Sequence, residues 1–318
     1  MKYLIQKIND HSQWDNLVSK SLNNNIFLKS YYLMPLEEKV DFYIIKKTSK
    51  IIAGFALLRD KKKNIINNDL VIHSGIFFLP DDQMKSSSFN NQVFEVTDLF
   101  KDFLIKNYNN INITLSPGIN DIRSFQWHNY NTNKKKFKIN IKYTSFLDLK
   151  KINKENYHKS KLYLNLNENR KRNLKDASKN KISFIEEKPL TFVKNYSLMF
   201  KKKGEIITSK KKIQIEKLLK NLIKLKKAKI ITSIVKGNKE YTIAISWDDK
   251  KGYYLFGSPI KNLTNFSGTA TMWKCMDICK ENKIDIFDLE GINSPLRGAY
   301  KLSYGGELVN YYNLQINR

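Results

Sequence analysis

The sequence predicts an α/β protein of two domains, and three observations carry that expectation. Short apolar runs alternate with amphipathic stretches along the chain. The coarse order helices, antiparallel strands, helix, strand occurs twice, on either side of a polar stretch at residues 151–170. The 318 residues, 41% hydrophobic and 12% aromatic, suffice for two domains with cores of their own. The expected division is residues 1–150 and 151–318.

The first half opens with an amphipathic helix over residues 11–22, where Trp14, Leu17, Val18 and Leu22 recur at helical spacing. Asp41–Lys47 and Lys50–Leu58 read as a hairpin with a polar turn near Thr48-Ser49. Val71–Phe78 reads as a strand ended by Pro80-Asp-Asp. Asn91–Tyr108 carries a helical stripe that includes Val93, Val96, Phe100, Phe103 and Leu104. Ile111–Leu115 and Tyr143–Leu149 are further strands, the first broken by Pro117-Gly118.

The second half repeats the alternation. Helices are expected over 168–180, 191–203 and 210–227, with a strand at 181–186. Ile230–Lys236 and Glu240–Asp248 form a hairpin around Gly237-Asn238. Then follow a strand at 252–257, a helix at 267–282, and strands at 284–289 and near 307–314. No residue-level repeat accompanies this shared order of elements.

Composition excludes several classes. No apolar run approaches the ~18 residues needed to span a bilayer. The N-terminus, Met1-Lys-Tyr-Leu-Ile-Gln-Lys, lacks a signal-peptide core, so export is not expected. Two cysteines make no disulfide framework and suit a reducing, cytoplasmic compartment. Cys275 and Cys279 share a helix face without a second ligand pair, so they read as core cysteines and no metal is expected. The four histidines are scattered, and neither G-x-G-x-x-G, a P-loop nor G-x-S-x-G occurs.

Charge is more informative by distribution than by total. The chain holds 57 Lys+Arg against 30 Asp+Glu, a formal +27, and only six of the basic residues are Arg. Residues 131–240 hold 32 basic and 9 acidic residues, net +23, whereas the other 208 residues are net +4. A polyanionic partner fits this segment: RNA, an anionic co-substrate, or a peripheral contact with the inner face of an anionic membrane. A solvated lysine face fits it as well. Arg170 and Arg172, close together at a helix start in this segment, are candidate clamps for phosphate or carboxylate, or else two solvated cations on a helix face.

Six of the twelve glycines fall in the last 62 residues and mark three spots. Gly268-Thr269-Ala270 opens a helix after a strand, a geometry for anions, or else a helix capped by Ser267 or Thr269. Asp288 and Glu290 end an apolar strand, where carboxylates serve as a base or cap a loop. Arg297, Tyr300, Lys301 and Tyr304 stand between glycine turns, where a cation and hydroxyls suit an anionic substrate or a developing oxyanion. A basic loop before an edge strand is the other reading of that spot.

The stretch Tyr241–Gly306 resembles the C-terminal half of FemAB-like acyltransferases, a branch of the GNAT superfamily. The resemblance rests on Ala244-Ile-Ser-Trp-Asp, Gly252-Tyr-Tyr-Leu-Phe-Gly-Ser, Gly268-Thr-Ala-Thr-Met-Trp, Phe287-Asp-Leu-Glu-Gly and Tyr300-Lys-Leu-Ser-Tyr-Gly-Gly. Asn169-Arg-Lys-Arg-Asn-Leu-Lys-Asp-Ala is similar to the basic helix that opens the family's second domain, and Asp121-Ile-Arg-Ser-Phe-Gln-Trp and Tyr143-Thr-Ser-Phe-Leu-Asp-Leu to its bridge. The resemblance implies two tandem GNAT-like domains with mixed sheets flanked by helices and a cleft between the domains. It implies N-acyl transfer from acyl-CoA or aminoacyl-tRNA to an amine of a cell-envelope or sugar precursor. Tyr300 and Lys301 match the aromatic–Lys pair that lines the donor channel in cross-bridge enzymes. Lys301, Tyr300, Asp288 and Glu290 are the expected catalytic residues. Arg170, Arg172, Arg297 and Tyr304 are expected to bind substrate, and Gly268, Thr269 and Ala270 the donor. The sequence departs from the family in lacking a long helical-hairpin arm and in keeping only Gly268-Thr-Ala of the pyrophosphate loop. The alternative is a non-catalytic GNAT-fold module that binds RNA or an anionic surface through residues 131–240.

Overall fold

The computed structural model describes residues 3–152, 157–260 and 264–317. Met1 and Lys2 of the N-terminal stretch, residues 153–156 of the polar segment, and Arg318 lie outside the described residues. The chain divides into two units. One is the chain up to Lys142 with the residues from Asn310 on, and the other is Tyr143–Val309. The expected division at 150/151 differs from this in placing the junction eight residues later and in leaving the last strand wholly with the second half.

The first unit contains β1 (Tyr3–Lys7), α1 (His11–Lys20), α2 (Ser30–Leu33), β2 (Lys39–Lys47), β3 (Lys50–Arg59), β4 (Gly75–Phe78), α3 (Ser86–Asn107), β5 (Asn110–Thr114) and α4 (Arg123–Gln126). The Asp10 carboxylate accepts from the Gln13 N–H at 2.9 Å and starts α1, whose Trp14 and Val18 are fully buried. β1 to β4 form an antiparallel sheet in sequence order. The apolar run Ile52–Leu58 is buried on both faces, as a central strand requires. α3 supplies Val96, Phe100 and Leu104 to a core shared with Phe55, Ile111 and Ile113. The expected strand over 71–78 is shorter in the structure. Val71 N–H closes a turn onto Asn68, and Gly75 takes φ +84, so regular pairing begins only there. β1 was not expected from the sequence.

β6 (Lys138–Asp148) leads into the second unit. There follow α5 (Lys161–Leu164), α6 (Glu168–Lys179), β7 (Ser183–Glu186), α7 (Pro189–Lys202), α8 (Ser209–Lys224), β8 (Ala228–Val235), β9 (Asn238–Trp247), β10 (Lys251–Pro259), α9 (Ser267–Glu281), β11 (Ile286–Asp288) and α10 (Pro295–Leu302). β12 (Glu307–Asn317) closes the chain and pairs antiparallel with β5 in the first unit. In the second unit the strands run in the order β6-β11-β10-β9-β8-β7, antiparallel except for β10 with β11. Asn167 and Thr208 side chains cap α6 and α8. α9 is buried along most of its length and, with Leu147, Phe287 and Trp247, forms the unit's core. Cys275 and Cys279 are buried and free within it.

α10 corrects the sequence reading. Gly298 is not a turn but lies inside this helix. A Cβ there would sit 2.5 Å from the Ile292 carbonyl oxygen, so the glycine lets the helix pack against the segment after β11. Among the described residues no helix is long and apolar enough to cross a membrane.

Candidate functional site

β10 and β11 run parallel for three paired residues, ending at Tyr253 opposite Asp288. β11 stops there, while β10 continues to Pro259 with a register shift against β9 between Tyr254 and Phe256. Where the two strands part, a cavity of about 420 Å³ opens among α7, β10 and α10. Tyr196 and Phe200 of α7, Tyr254 and Phe256 of β10, and Tyr300 and Lys301 of α10 line it. Arg297 and Lys203, both exposed, bring positive charge to its lining.

Tyrosine hydroxyls make up much of the polar lining. Tyr300 and Tyr304 share a hydrogen bond of 2.8 Å, and Tyr241 is hydrogen-bonded to Tyr254. Burial raises the pKa of all four, Tyr304 to about 12, so each hydroxyl keeps its proton at neutral pH. Gly257 makes room for this arrangement. A Cβ there would lie 1.8 Å from the Tyr254 hydroxyl and 3.1 Å from that of Tyr241.

Lys301 is the cation at the end of this hydroxyl group. It is 8% exposed, its Nζ donates to the Gly291 carbonyl at 3.3 Å, and it lies 4.9 Å over the Tyr254 ring. Burial lowers its pKa, and the nearby Glu290 and Asp288 oppose that. Asp288 closes β11. It accepts from the Thr144 hydroxyl and, at 2.7 Å, from the Glu290 N–H, while burial raises its pKa. Glu290 follows at φ +54, a backbone that favours glycine. Its carboxyl is buried, and Oε1 has no hydrogen-bond partner. Burial, then Asp288, push its pKa well up, against the pull of Lys301. Neither carboxylate is part of the cavity lining.

Arg170 reaches the same group from α6. Its guanidinium lies 4.8 Å over the Tyr300 ring and donates to Thr269 Oγ1 at 2.6 Å. Asn173 donates to the same oxygen at 3.1 Å. Thr269 therefore does not cap α9, and neither does Ser267. Phe266 holds the N-cap position without a side-chain hydrogen bond, while Ser267 Oγ turns back to the Thr264 carbonyl. Thr269 and Ala270 are buried. Gly268 is half-buried, and a Cβ there would meet the Tyr241 ring at 3.4 Å and the Tyr300 hydroxyl at 3.6 Å. Arg172 is exposed, bonds Asn169 on its own helix, and lines with Arg170, Asn173, Asp176 and Asn265 a polar groove distinct from the tyrosine-lined cavity.

Of the expected site residues, the structure gathers Tyr300, Lys301, Tyr304, Arg170, Thr269 and Gly268 around one hydroxyl network. Arg297 joins at the cavity, Asp288 and Glu290 are buried and do not line it, and Arg172 meets Arg170 at a polar groove outside it. The sequence reading missed Tyr241, Tyr254 and Tyr196. The available signal was the pair of consecutive tyrosines before Gly257, on a strand leading into a glycine-marked helix. Among the described residues no group of three or more His, Cys, Asp or Glu is placed to hold a metal.

No known family's sequence model matches the chain, and no curated protein matches it. Solved structures do. FemX is 9% identical, with a TM-score of 0.66 over 98% of this chain and 97% of its own. L-PGS from Bacillus licheniformis is 11% identical, with a TM-score of 0.56 over 98% and 93%. A tandem GNAT protein from the clavulanic acid biosynthesis pathway is 8% identical, with a TM-score of 0.54 over 99% and 98%. At these identities what is shared is the fold, and the chain thus has the α/β architecture of two GNAT-like domains found in FemX and the tandem GNAT protein.

Proposed function

We propose that the protein is an N-acyltransferase of the Fem/GNAT type. It moves an acyl group from an activated ester or thioester, aminoacyl-tRNA or acyl-CoA, to an amine of a cell-envelope or sugar precursor. The observation that carries this reading is the cavity at the parting of β10 and β11, with Lys301 and tyrosine hydroxyls converging on it. The likeness in fold to FemX and to the tandem GNAT protein supports it. Either donor places the reaction in the cytoplasm.

The acceptor nitrogen attacks the donor carbonyl carbon. A C–N bond forms and the carbonyl oxygen becomes an oxyanion. The Lys301 side chain and the Tyr300 hydroxyl, both donors at the cavity, stabilise that charge. The C–O or C–S bond of the donor then breaks, and the proton shed by the nitrogen ends on the leaving oxygen or sulfur. Holding donor and acceptor together supplies much of the rate. Arg170, stacked on Tyr300, fixes the ring.

The test is transfer of label from acetyl-CoA, and separately from charged tRNA, to amino sugars and cell-envelope precursors. Lys301→Met keeps the stem and removes the charge. It should lower kcat by about 10²–10³-fold with KM little changed. Folded protein that transfers from neither donor sinks the reading, and an unaltered kcat in Lys301→Met removes the lysine from the chemistry.

A further inference from the structure

The loop that joins α4 to β6 displays its aromatic residues instead of burying them. Trp127 is 51% exposed and Tyr130 is 65% exposed, whereas the other three tryptophans, Trp14, Trp247 and Trp273, are buried. Lys134, Lys135 and Lys136 follow in the same loop and Lys138 begins β6, all four exposed. No Asp or Glu occurs between Asp121 and Asp148. Two rings and a run of cations thus share one short stretch of chain.

The loop is held in shape by its own bonds. Asn129 takes φ +57, and its Nδ2 donates to the Lys135 carbonyl at 2.7 Å, which brings the Trp127–Tyr130 turn beside the lysines. The Tyr130 N–H donates to the Trp127 carbonyl at 3.1 Å, and the Thr132 hydroxyl to the Asn129 carbonyl at 3.1 Å. Phe137 anchors the far end, buried against Phe125 and His128. Trp127 rests in part on Phe94 and Arg123, and the remainder of its ring, with that of Tyr130, is left to water. A pair of exposed rings on a pre-ordered basic loop marks an interaction surface, and its order lowers the entropy lost on docking.

We propose that this loop docks on an anionic lipid bilayer, with Trp127 and Tyr130 entering the headgroup layer and Lys134, Lys135, Lys136 and Lys138 drawing it there. Indole and phenol rings favour that layer, because an apolar body and a polar tip suit its two sides. Lysine stems lie along its apolar edge while the ammonium groups stay with lipid phosphates. Nucleic acid fits the loop less well. Arg123, the neighbouring arginine, is committed to Asp121 at 2.9 and 2.7 Å and to the Phe94 and Trp127 rings, so the loop meets a phosphate with lysine alone. Arg123 over Trp127 also keeps that ring from sitting between two bases. The surface is independent of the acyltransferase reading and would bring the protein to a membrane whatever reaction it performs.

The test mixes the full chain with vesicles of equal parts phosphatidylglycerol and phosphatidylcholine, the latter with dibrominated acyl chains. Bromine quenches indole that enters the bilayer, and Trp127 is the exposed one of the four tryptophans. Its emission should be quenched and shifted to the blue, and vesicles of phosphatidylcholine alone should do neither. Lys134→Gln, Lys135→Gln and Lys136→Gln together should weaken binding about 100-fold at low salt, about fivefold for each lysine. Tyr130→Ala should weaken it about 3- to 10-fold. Its melting temperature should be unchanged, because the ring is exposed. Trp127→Phe should still sediment with the vesicles but lose the quenched emission. Absence of binding, binding without quenching, or binding that the lysine variant leaves unaltered overturns the proposal. A single-stranded RNA that quenches Trp127 where vesicles do not assigns the loop to nucleic acid instead.

Discussion

Asp41 shows how single side chains set the pH range of this fold. It is buried in β2, where the Arg59 guanidinium and the Lys7 ammonium both bond its carboxylate. Burial alone would raise its pKa, yet the hydrogen bonds from Arg59 and then Lys7 outweigh burial and leave it below the usual carboxylate range. A carboxylate depressed by folding stabilises the native state above its unfolded pKa. That contribution disappears as pH falls through the folded value. Asp41→Asn should therefore cost about 1–3 kcal/mol at pH 7, where charged hydrogen bonds are lost. The two proteins should converge as pH falls through that lowered value, when native Asp41 is also protonated. Urea melts at pH 7 and through the acid range check this, and a gap that does not narrow on acidification would refute it. Lys301 and Glu290 obey the same physics with the opposite sign, because burial there outweighs the partners.

At the scale of elements, the periodic segments were legible and the site's frame was not. α1, α3 and α8 announce themselves through apolar stripes, and the hairpins through turns at Thr48 and Gly237-Asn238. α10 is amphipathic but too short for its stripe to stand out. It is eight residues long and carries Gly298, which costs a helix ~1 kcal/mol relative to alanine by propensity. What the glycine contributes is visible only from Ile292, whose carbonyl oxygen occupies the space of a Cβ. Likewise Arg170 and Thr269, 99 residues apart, were each singled out by local motifs, but their bond is a product of α6 packing on α9. Tyr241 and Tyr254 sit on paired strands, and a strand sequence does not reveal which hydroxyls will meet. Gly298→Ala tests the frame. A methyl group 2.5 Å from the Ile292 carbonyl oxygen must push α10 off the segment after β11. The expected cost is about 1–3 kcal/mol, with kcat falling because Lys301 moves with its helix. Full stability and native kcat in Gly298→Ala would show that α10 is not held by this contact.

At the scale of the whole molecule, the +27 charge is the feature that separates the two donors and the non-catalytic reading. The net +23 of residues 131–240 lies partly on α7 and α8. α8 buries Ile215, Leu218, Leu219 and Leu222 and turns Lys210, Lys217, Lys220 and Lys224 outward, so its lysines need no partner to be accommodated. Exposed Lys201 and Lys202 end α7, and Lys203 beside them lines the cavity. A polyanion seated on this face would bring its end to that cavity, whereas acyl-CoA has too few charges to use it. Charged tRNA should then bind with an affinity that drops steeply between about 50 and 200 mM salt, by about 0.9 in the log–log slope per phosphate contact. The triple variant Lys201→Glu, Lys202→Glu, Lys224→Glu should flatten that slope while leaving melting temperature and acetyl-CoA binding unchanged, because the three residues are exposed. Salt-insensitive tRNA binding, or a slope untouched by the triple variant, makes the lysines a solvated face and leaves acyl-CoA as the donor to pursue. Steep binding of charged tRNA without turnover favours the RNA-binding module over the enzyme.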